Sequence, residues 1–210
     1  MLRLYDYLPS GNGYKIRLAL ARLALPYELV EVDIHKAETR TPAFLRRNPI
    51  GRVPVLELDD GTPLAESNAI LWYLAEDTTL APRGRLARAE TLRWMFFEQY
   101  CHEPNIAVAR FWKHYVPELS PLQKLDLPER MKKGYAALDV MEKALALAPF
   151  LVDGRFGLAD ISLYAYTHVA GEGGFDLARY PAIRAWLGRV AAEPGHVTID
   201  QRPASARRAS

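Results

Sequence analysis

The stretch NPIGRVPVLELDDGTPLAESNAILWYLAE, residues 48–76, decides the fold. Val53-Pro54 opens an apolar run that ends at Leu58. Asp59-Asp60-Gly61 breaks it, and Thr62 to Ala65 resumes it. Asp-Gly between two such runs is a strong short-range hairpin signal. Glu66-Ser67-Asn68 then lead into Ala69–Leu74, which reads as a helix. Upstream, Leu2 and Leu4 alternate with Arg3 and Tyr5, the mark of a short strand, and Pro9-Ser10-Gly11-Asn12-Gly13 breaks the chain. Ile16, Leu20 and Leu23 recur at i, i+4 and i+7, so the spacing predicts a helix over 14–25, ended by Pro26. Tyr27 to Val32 reads as a second strand. Residues 33–41 are polar, and Pro42 to Arg47 predicts a short helix with proline at its start. The order is therefore β-α-β-α-β-β-α. The first βαβ unit is expected to be parallel and right-handed, with the hairpin adding antiparallel strands.

This is the thioredoxin-like arrangement. Beyond it the grammar changes. Thr78 to Gly84, with Pro82 and Gly84, reads as a linker, and no strand pattern follows. Apolar residues fall at helical spacing in 87–100 (Leu92, Met95, Phe96), 132–147 (Tyr135, Leu138, Met141, Leu145), 158–169 and 181–192, with loops at 117–128, 149–157 and 171–176. The expected organisation is a thioredoxin-like α/β domain over 1–78, an all-α helical bundle over 85–200, and a disordered tail over 201–210. The tail holds three arginines and no acid, the composition of a solvated end.

Composition narrows the function. Half of the 210 residues are apolar, enough for a sizeable core. The 27 Lys and Arg nearly balance the 25 Asp and Glu, so no basic field argues for nucleic acid. Cys101 is the one cysteine, which excludes a disulfide framework, a cysteine zinc cage and a Cys-x-x-Cys redox pair. No metal is expected. No apolar run approaches the ~20 residues of a membrane span, and MLRLYDY lacks the features of a signal peptide, so the expectation is a soluble cytoplasmic protein. Cys101 reads as a buried helix residue.

Three features carry chemistry. Ser10-Gly11-Asn12-Gly13 lies between the first strand and the first helix, where an α/β sheet binds ligands and where a helix start offers free N–H groups and partial positive charge. A hydroxyl and an amide there could stabilise a thiolate; the plainer reading makes Ser10 or Asn12 a helix cap worth ~1 kcal/mol. Pro54 opens a strand, where a cis peptide would turn the backbone of Val53 toward the same crevice, although only ~5–6 % of such bonds are cis. Glu66-Ser67 ends a strand and opens a helix. Ser67 could hold a carboxylate and Glu66 an ammonium, which fits a free amino-acid head group; capping is again the plainer reading.

In order and spacing these pieces resemble a bacterial cytosolic glutathione transferase over nearly the whole chain. The resemblance rests on LYDYLPSGNGYKIRLAL (4–20), the 48–76 stretch above, and FLVDGRFGLADISLYAY (150–166). It implies glutathione as co-substrate, Val53 pairing through its backbone with the cysteinyl part, and Pro54 cis. It places Glu66 and Ser67 at the γ-glutamyl site and Arg52 near the tripeptide, and leaves His35, Lys36 and Arg40 as candidates for the glycyl carboxylate. Ser10 falls where serine-type members keep a hydroxyl on the thiolate. Asn12 looks like the asparagine of nu-type members, whose stretch reads Thr-Pro-Asn-Gly-Xaa-Lys, so the thiolate partner stays open between the two. One departure is visible: Gly157 stands where the family caps a helix with Ser or Thr three residues before an Asp, here Asp160.

The resemblance further implies an apolar electrophile site between the domains, for which Phe111, Trp112, Tyr115 and Tyr166 are candidates; core packing is the plainer reading of Phe111 and Tyr115. It also implies a homodimer, with the 87–100 helix as the expected contact surface. Three activities compete: conjugation of glutathione to electrophiles, glutathione-dependent disulfide or peroxide reduction, and a non-enzymatic interaction or regulatory role.

Overall fold

The computed structural model describes residues 1–208. The chain divides into two units, Met1–Ala81 joined by the segment from Pro194 onward, and Pro82–Glu193. The first contains β1 (Leu2–Asp6), α1 (Gly11–Arg22), β2 (Tyr27–Glu31), α2 (Pro42–Arg47), β3 (Val55–Glu57), β4 (Pro63–Ala65) and α3 (Ser67–Ala75). This is the expected thioredoxin-like order. Two single 3-10 turns, Ile34–Lys36 and Glu38–Arg40, fill the polar stretch after β2.

The sheet order is β4-β3-β1-β2-β5, where β5 is Arg207–Arg208. β1 and β2 run parallel from Leu2↔Tyr27 to Asp6↔Glu31, and β3 pairs antiparallel with both β1 and β4. Tyr5, Val30, Val32 and Val55 cluster with Phe44 of α2. The alternation of a strand then turns Leu4, Leu29 and Leu56, all fully buried, to the opposite face. α1 starts at Gly11, earlier than its apolar stripe, because Ser10 caps it: the Ser10 Oγ accepts from the Gly13 N–H at 3.5 Å.

The end of the chain departs from expectation. Residues 194–200 belong to the first unit, not to the helical one. Tyr14 Oη donates to the Val197 carbonyl at 2.7 Å, and Arg17 Nη1 to that of Ile199 at 2.6 Å. The expected disordered tail is strapped to β2 instead. Arg202 makes two bonds to Glu31 at 2.7 and 3.1 Å, Ser205 Oγ donates to the Tyr27 carbonyl at 2.7 Å, Arg207 pairs with Glu28, and β5 lies parallel to β2. The basic tail reads as solvated in sequence because its acidic partners sit on a strand at the other end of the chain. Residues 209 and 210 of that expectation lie outside the described residues. Exposed ion pairs are worth only ~0–1 kcal/mol each. A chain ending at Gln201 is therefore expected to keep its fold while amide exchange quickens along Tyr27–Glu31, the edge it uncovers. Unchanged exchange there would contradict the pairing.

The second unit holds α4 (Arg85–Phe97), α5 (Glu103–Tyr115), α6 (Pro121–Leu145), α7 (Leu158–Thr167) and α8 (Pro181–Ala191). It is helical as expected, apart from an isolated bridge between Val152 and Arg155. A π turn, Glu98–His102, joins α4 to α5, and half-buried Cys101 sits in it. Pro104 follows that turn; it has no N–H to return to the preceding turn, and a widened turn accommodates this. The loop expected over 117–128 is mostly helix. Ser120 and Gln123 form a capping box at 3.3 and 2.8 Å with Pro121 at the first helical position, so α6 begins there and carries Pro128 within it.

Candidate active site at one edge of the sheet

The register brings the chemistry-bearing segments together. Tyr5, Val55 and Ala65 form one row across β1, β3 and β4, and the Val32 N–H donates to the Asp6 carbonyl at 2.8 Å. The exit of β1 toward Ser10, the entry of β3 from Val53, the exit of β4 into Glu66-Ser67 and the exit of β2 into residues 33–40 therefore share one edge. This is the carboxyl end of the parallel pair, where such sheets bind ligands.

Two helix starts meet there, because α1 packs on α3. Ser67 is the first residue of α3 and is buried. Its Oγ donates to Asn12 Oδ1 at 3.3 Å and accepts from Lys15 Nζ at 3.2 Å. Lys15 is fully buried. It was quoted within the motif but given no role by sequence reasoning; a lysine one turn into a helix reads as a solvated face until its partner is known. Glu66 precedes α3 with φ +70° and its side chain makes no capping bond. A non-glycine residue in that region costs about 1–3 kcal/mol, and such strain gathers at functional sites. The capping reading thus holds for Ser10 and fails for Glu66 and Ser67.

The remaining candidates frame the entry to β3. The Val53–Pro54 peptide is cis, and Val53 is half-buried ahead of the sheet ladder. Arg52 is exposed. Buried Asn48, missed by sequence reasoning, pins this loop: its Nδ2 donates to the Arg52 carbonyl at 2.8 Å and its Oδ1 accepts from the Ile50 N–H at 3.1 Å. Arg40 Nη1 donates to the Ile50 carbonyl at 2.9 Å. His35 Nε2 lies 3.1 Å from Tyr7 Oη, and Lys36 pairs with Asp33 at 3.6 Å. All three side chains are exposed: His35 meets the segment after β1, Lys36 its own loop and Arg40 the loop before β3.

Below α1, Asp6 and Arg17 form a buried pair at 3.1 Å, and Arg17 Nη2 also donates to the Leu8 carbonyl at 2.5 Å. Burial pushes the Asp6 carboxyl up to about 7 against the pull of Arg17.

Family models for the N-terminal and the C-terminal domain of glutathione S-transferases match residues 1–76 and 106–194. The chain belongs to the glutathione S-transferase family. A solved structure of a possible glutathione S-transferase from Rhodopseudomonas palustris is 53% identical, with TM-score 0.93, over 97% of this chain and 91% of that one. The disulfide-bond oxidoreductase YfcG of Escherichia coli is 32% identical over 201 residues, 92% of each chain. The glutathione transferase URE2P6 of Phanerochaete chrysosporium, solved in complex with oxidized glutathione, is 27% identical with TM-score 0.83 over 92% of each chain.

The aromatic candidates of the helical unit lie on α5 and α7. Phe111 and Tyr115 pair on α5 with ring centroids 6.0 Å apart, and Tyr115 Oη accepts from Arg110 at 2.8 Å. Trp112 lies under Arg130, at 5.0 Å from the ring centroid to Cζ. Tyr166 is buried in α7. Among the described residues no cluster of three or more His, Cys, Asp or Glu could hold a metal ion, and no helix is long and apolar enough to cross a membrane.

Proposed function

We propose that this transferase binds glutathione at the edge described above and holds its thiol as a thiolate for attack on small, largely apolar electrophiles. The observation that carries the reading is the meeting of the α1 and α3 starts through the Asn12–Ser67 hydrogen bond, with Glu66 the residue before Ser67. The two helix starts supply donors and partial positive charge for anions. In this reading Ser67 and the start of α3 take the γ-glutamyl carboxylate, Glu66 takes its ammonium, and the Val53 backbone pairs with the cysteinyl unit. Arg52 borders the tripeptide, and His35, Lys36 and Arg40 compete for the glycyl carboxylate. Ser10 and Asn12 face the thiol in the manner of serine-type and nu-type members.

A thiol near its ordinary pKa of ~8.5 is mostly protonated at neutral pH. Lowering that value by one to two units costs ~1.4 kcal/mol per unit, within reach of one oriented donor and a helix terminus. Phe111, Trp112, Tyr115 and Tyr166 stay the candidates for apolar contact with the electrophile.

Calorimetric titration with glutathione tests the site. Glu66→Ala is expected to weaken binding at least about tenfold, since it removes a charge-assisted partner of the ammonium. An unchanged dissociation constant would refute the γ-glutamyl assignment. No binding by folded wild type would refute the whole reading and turn attention to an interaction role.

The likeness to YfcG favours a second reading, glutathione-dependent disulfide reduction. A second glutathione would complete the turnover, because the one cysteine, Cys101, belongs to the helical unit and not to the Ser10 segment. Turnover of a small disulfide or a peroxide, set against conjugation of an aryl halide, separates the two. A cytoplasmic homodimer is part of the proposal. Phe96 and Tyr100, at 68% and 87% exposure along α4 and the π turn, are the apolar surface it would cover. Gel filtration at micromolar concentration is expected to give twice the 23.7 kDa chain mass, and a monomer would refute it.

A further inference from the structure

We propose that the cavity between α2 and the strapped edge of the sheet is a second ligand site, and that it takes a small aromatic carboxylate. Val55, Tyr5, Val30 and Arg207 are direct partners across β3, β1, β2 and β5. One row of the sheet thus runs through three buried apolar side chains and ends on an arginine of the strap. α2 covers that row only in part: it has six residues, about 9 Å of helix, and Phe44 is its buried residue. What it leaves uncovered is a cavity of about 230 Å³. Tyr5, Val30, Val32 and Phe44 form its apolar lining, and Arg47 and Arg207 line it beside them. The Tyr5 and Phe44 rings stand edge to face, with centroids 6.4 Å apart. Pockets for drug-sized ligands hold ~300–1,000 Å³, so this space suits one small molecule.

Both arginines are anchored and still have donors to give. Arg47 Nε donates to Glu57 at 3.2 Å and Nη1 to the Ala43 carbonyl at 3.0 Å, and its Cζ lies 4.5 Å from the Tyr5 ring centroid. Arg207 Nε pairs with Glu28. Among the described residues, Arg47 Nη2 and both Nη atoms of Arg207 make no hydrogen bond. A guanidinium held in place by one carboxylate keeps part of its planar fork for another. Glu38 is the acidic residue on the lining, and its Oε2 accepts from the Asp33 N–H at 2.6 Å. The two arginines outnumber it, so the cavity favours an anion. Its apolar lining calls for a body that a bare inorganic anion lacks, and two rings set edge to face favour an aromatic one. None of the lining residues is among those assigned to the tripeptide, so the inference stands apart from the glutathione reading.

Fluorine NMR titration with 4-fluorobenzoate tests it. Saturable binding by the full chain is expected. The neutral 4-fluorobenzamide and the ring-free acetate are each expected to bind at least about tenfold more weakly, the first for want of charge and the second for want of apolar contact. Arg207→Gln, and the chain ending at Gln201, are expected to lose at least about tenfold in 4-fluorobenzoate affinity while glutathione titrates as in wild type. Ala43→Trp carries the test where Arg207→Gln undocks the strap. Ala43 is an exposed residue of α2 on the cavity lining, so a large side chain there would fill the space without entering the core, and binding should be abolished. No saturable binding by folded wild type overturns the inference. So does equal affinity for the benzamide, which would mean that the arginines play no part. Wild-type affinity in both Arg207→Gln and Ala43→Trp would place the probe elsewhere on the protein and overturn it too.

Discussion

Gly13→Ala is expected to cost about 3–5 kcal/mol of stability and to abolish the proposed glutathione binding in whatever folded protein remains. Gly13 needs no special backbone angle; what it lacks is room. A Cβ there would overlap the carboxylate of Asp6. That carboxylate cannot step aside cheaply, because it is fully buried and paired with the equally buried Arg17. Breaking such a pair leaves an uncompensated charge in the core, and a small domain has only ~5–15 kcal/mol in total. The alternative is for the first turn of α1 to lift away. That would carry Ser10, Asn12 and Lys15 with it, and Arg17 would lose its hold on the Leu8 carbonyl two residues before Ser10. Either escape disrupts the site. Gly188→Ala is the control: it lies in an exposed stretch of α8, and a Cβ there meets nothing within 4 Å. It is expected to be neutral or to stabilise by up to ~1 kcal/mol through helix propensity. Thermal melts of both variants, with calorimetry on the folded fraction, check the pair. A Gly13→Ala protein that melts like wild type would show that Asp6 is free to move.

The same residues explain what could be read from sequence. Periodicity, the Asp-Gly turn and the prolines report on local geometry, so the order of strands and helices and the position of the Ser10 turn were legible. The start of β3 after Val53 and the end of β4 before Glu66 and Ser67 lie at the same end of the sheet as the Ser10 turn. Partners distant in sequence were not legible. Lys15 and Arg17 look like the polar face of an amphipathic helix, yet both are buried, because α3 supplies Ser67 for one and β1 supplies Asp6 for the other. Asn48 looks like a loop residue and pins the loop before β3. The tail failed for the same reason, with its acidic partners on β2. Pro128 failed for another: a proline read as a breaker sits inside a helix whose start was already signalled by Ser120, Pro121 and Gln123.

Asp160→Ala is expected to be as damaging as Gly13→Ala, at about 3–5 kcal/mol, and to do so within the helical unit. Gly157 has no side chain with which to cap α7, so the cap consists of Asp160 alone. Its Oδ2 accepts from the Gly157 N–H at 3.1 Å, and its Oδ1 from the Leu151 N–H at 3.1 Å and Trp186 Nε1 at 2.8 Å. The residue is fully buried, as is Trp186. Alanine would strand the buried Trp186 donor together with the partly buried Leu151 and Gly157 N–H groups, each costing up to ~1–3 kcal/mol when unmet. Asparagine keeps an oxygen for Leu151 and Trp186 but sets an amino group against the Gly157 N–H, so a cost of ~1–3 kcal/mol is expected. The two variants also expose a pH dependence. Burial raises the Asp160 carboxyl to about 7, with the Trp186, Leu151 and Gly157 donors opposing. Between roughly pH 4, where the unfolded carboxyl ionises, and pH 7, the folded state holds a proton that the unfolded state has lost. The stability contributed by that proton is complete below the unfolded value and lost as pH rises through about 7. Asparagine does not titrate. The margin of wild type over Asp160→Asn in denaturant unfolding should therefore shrink from pH 5 to pH 8. A margin that stays level would mean that the three donors hold the carboxylate ionised throughout, and one that grows would reverse the sign of the burial argument.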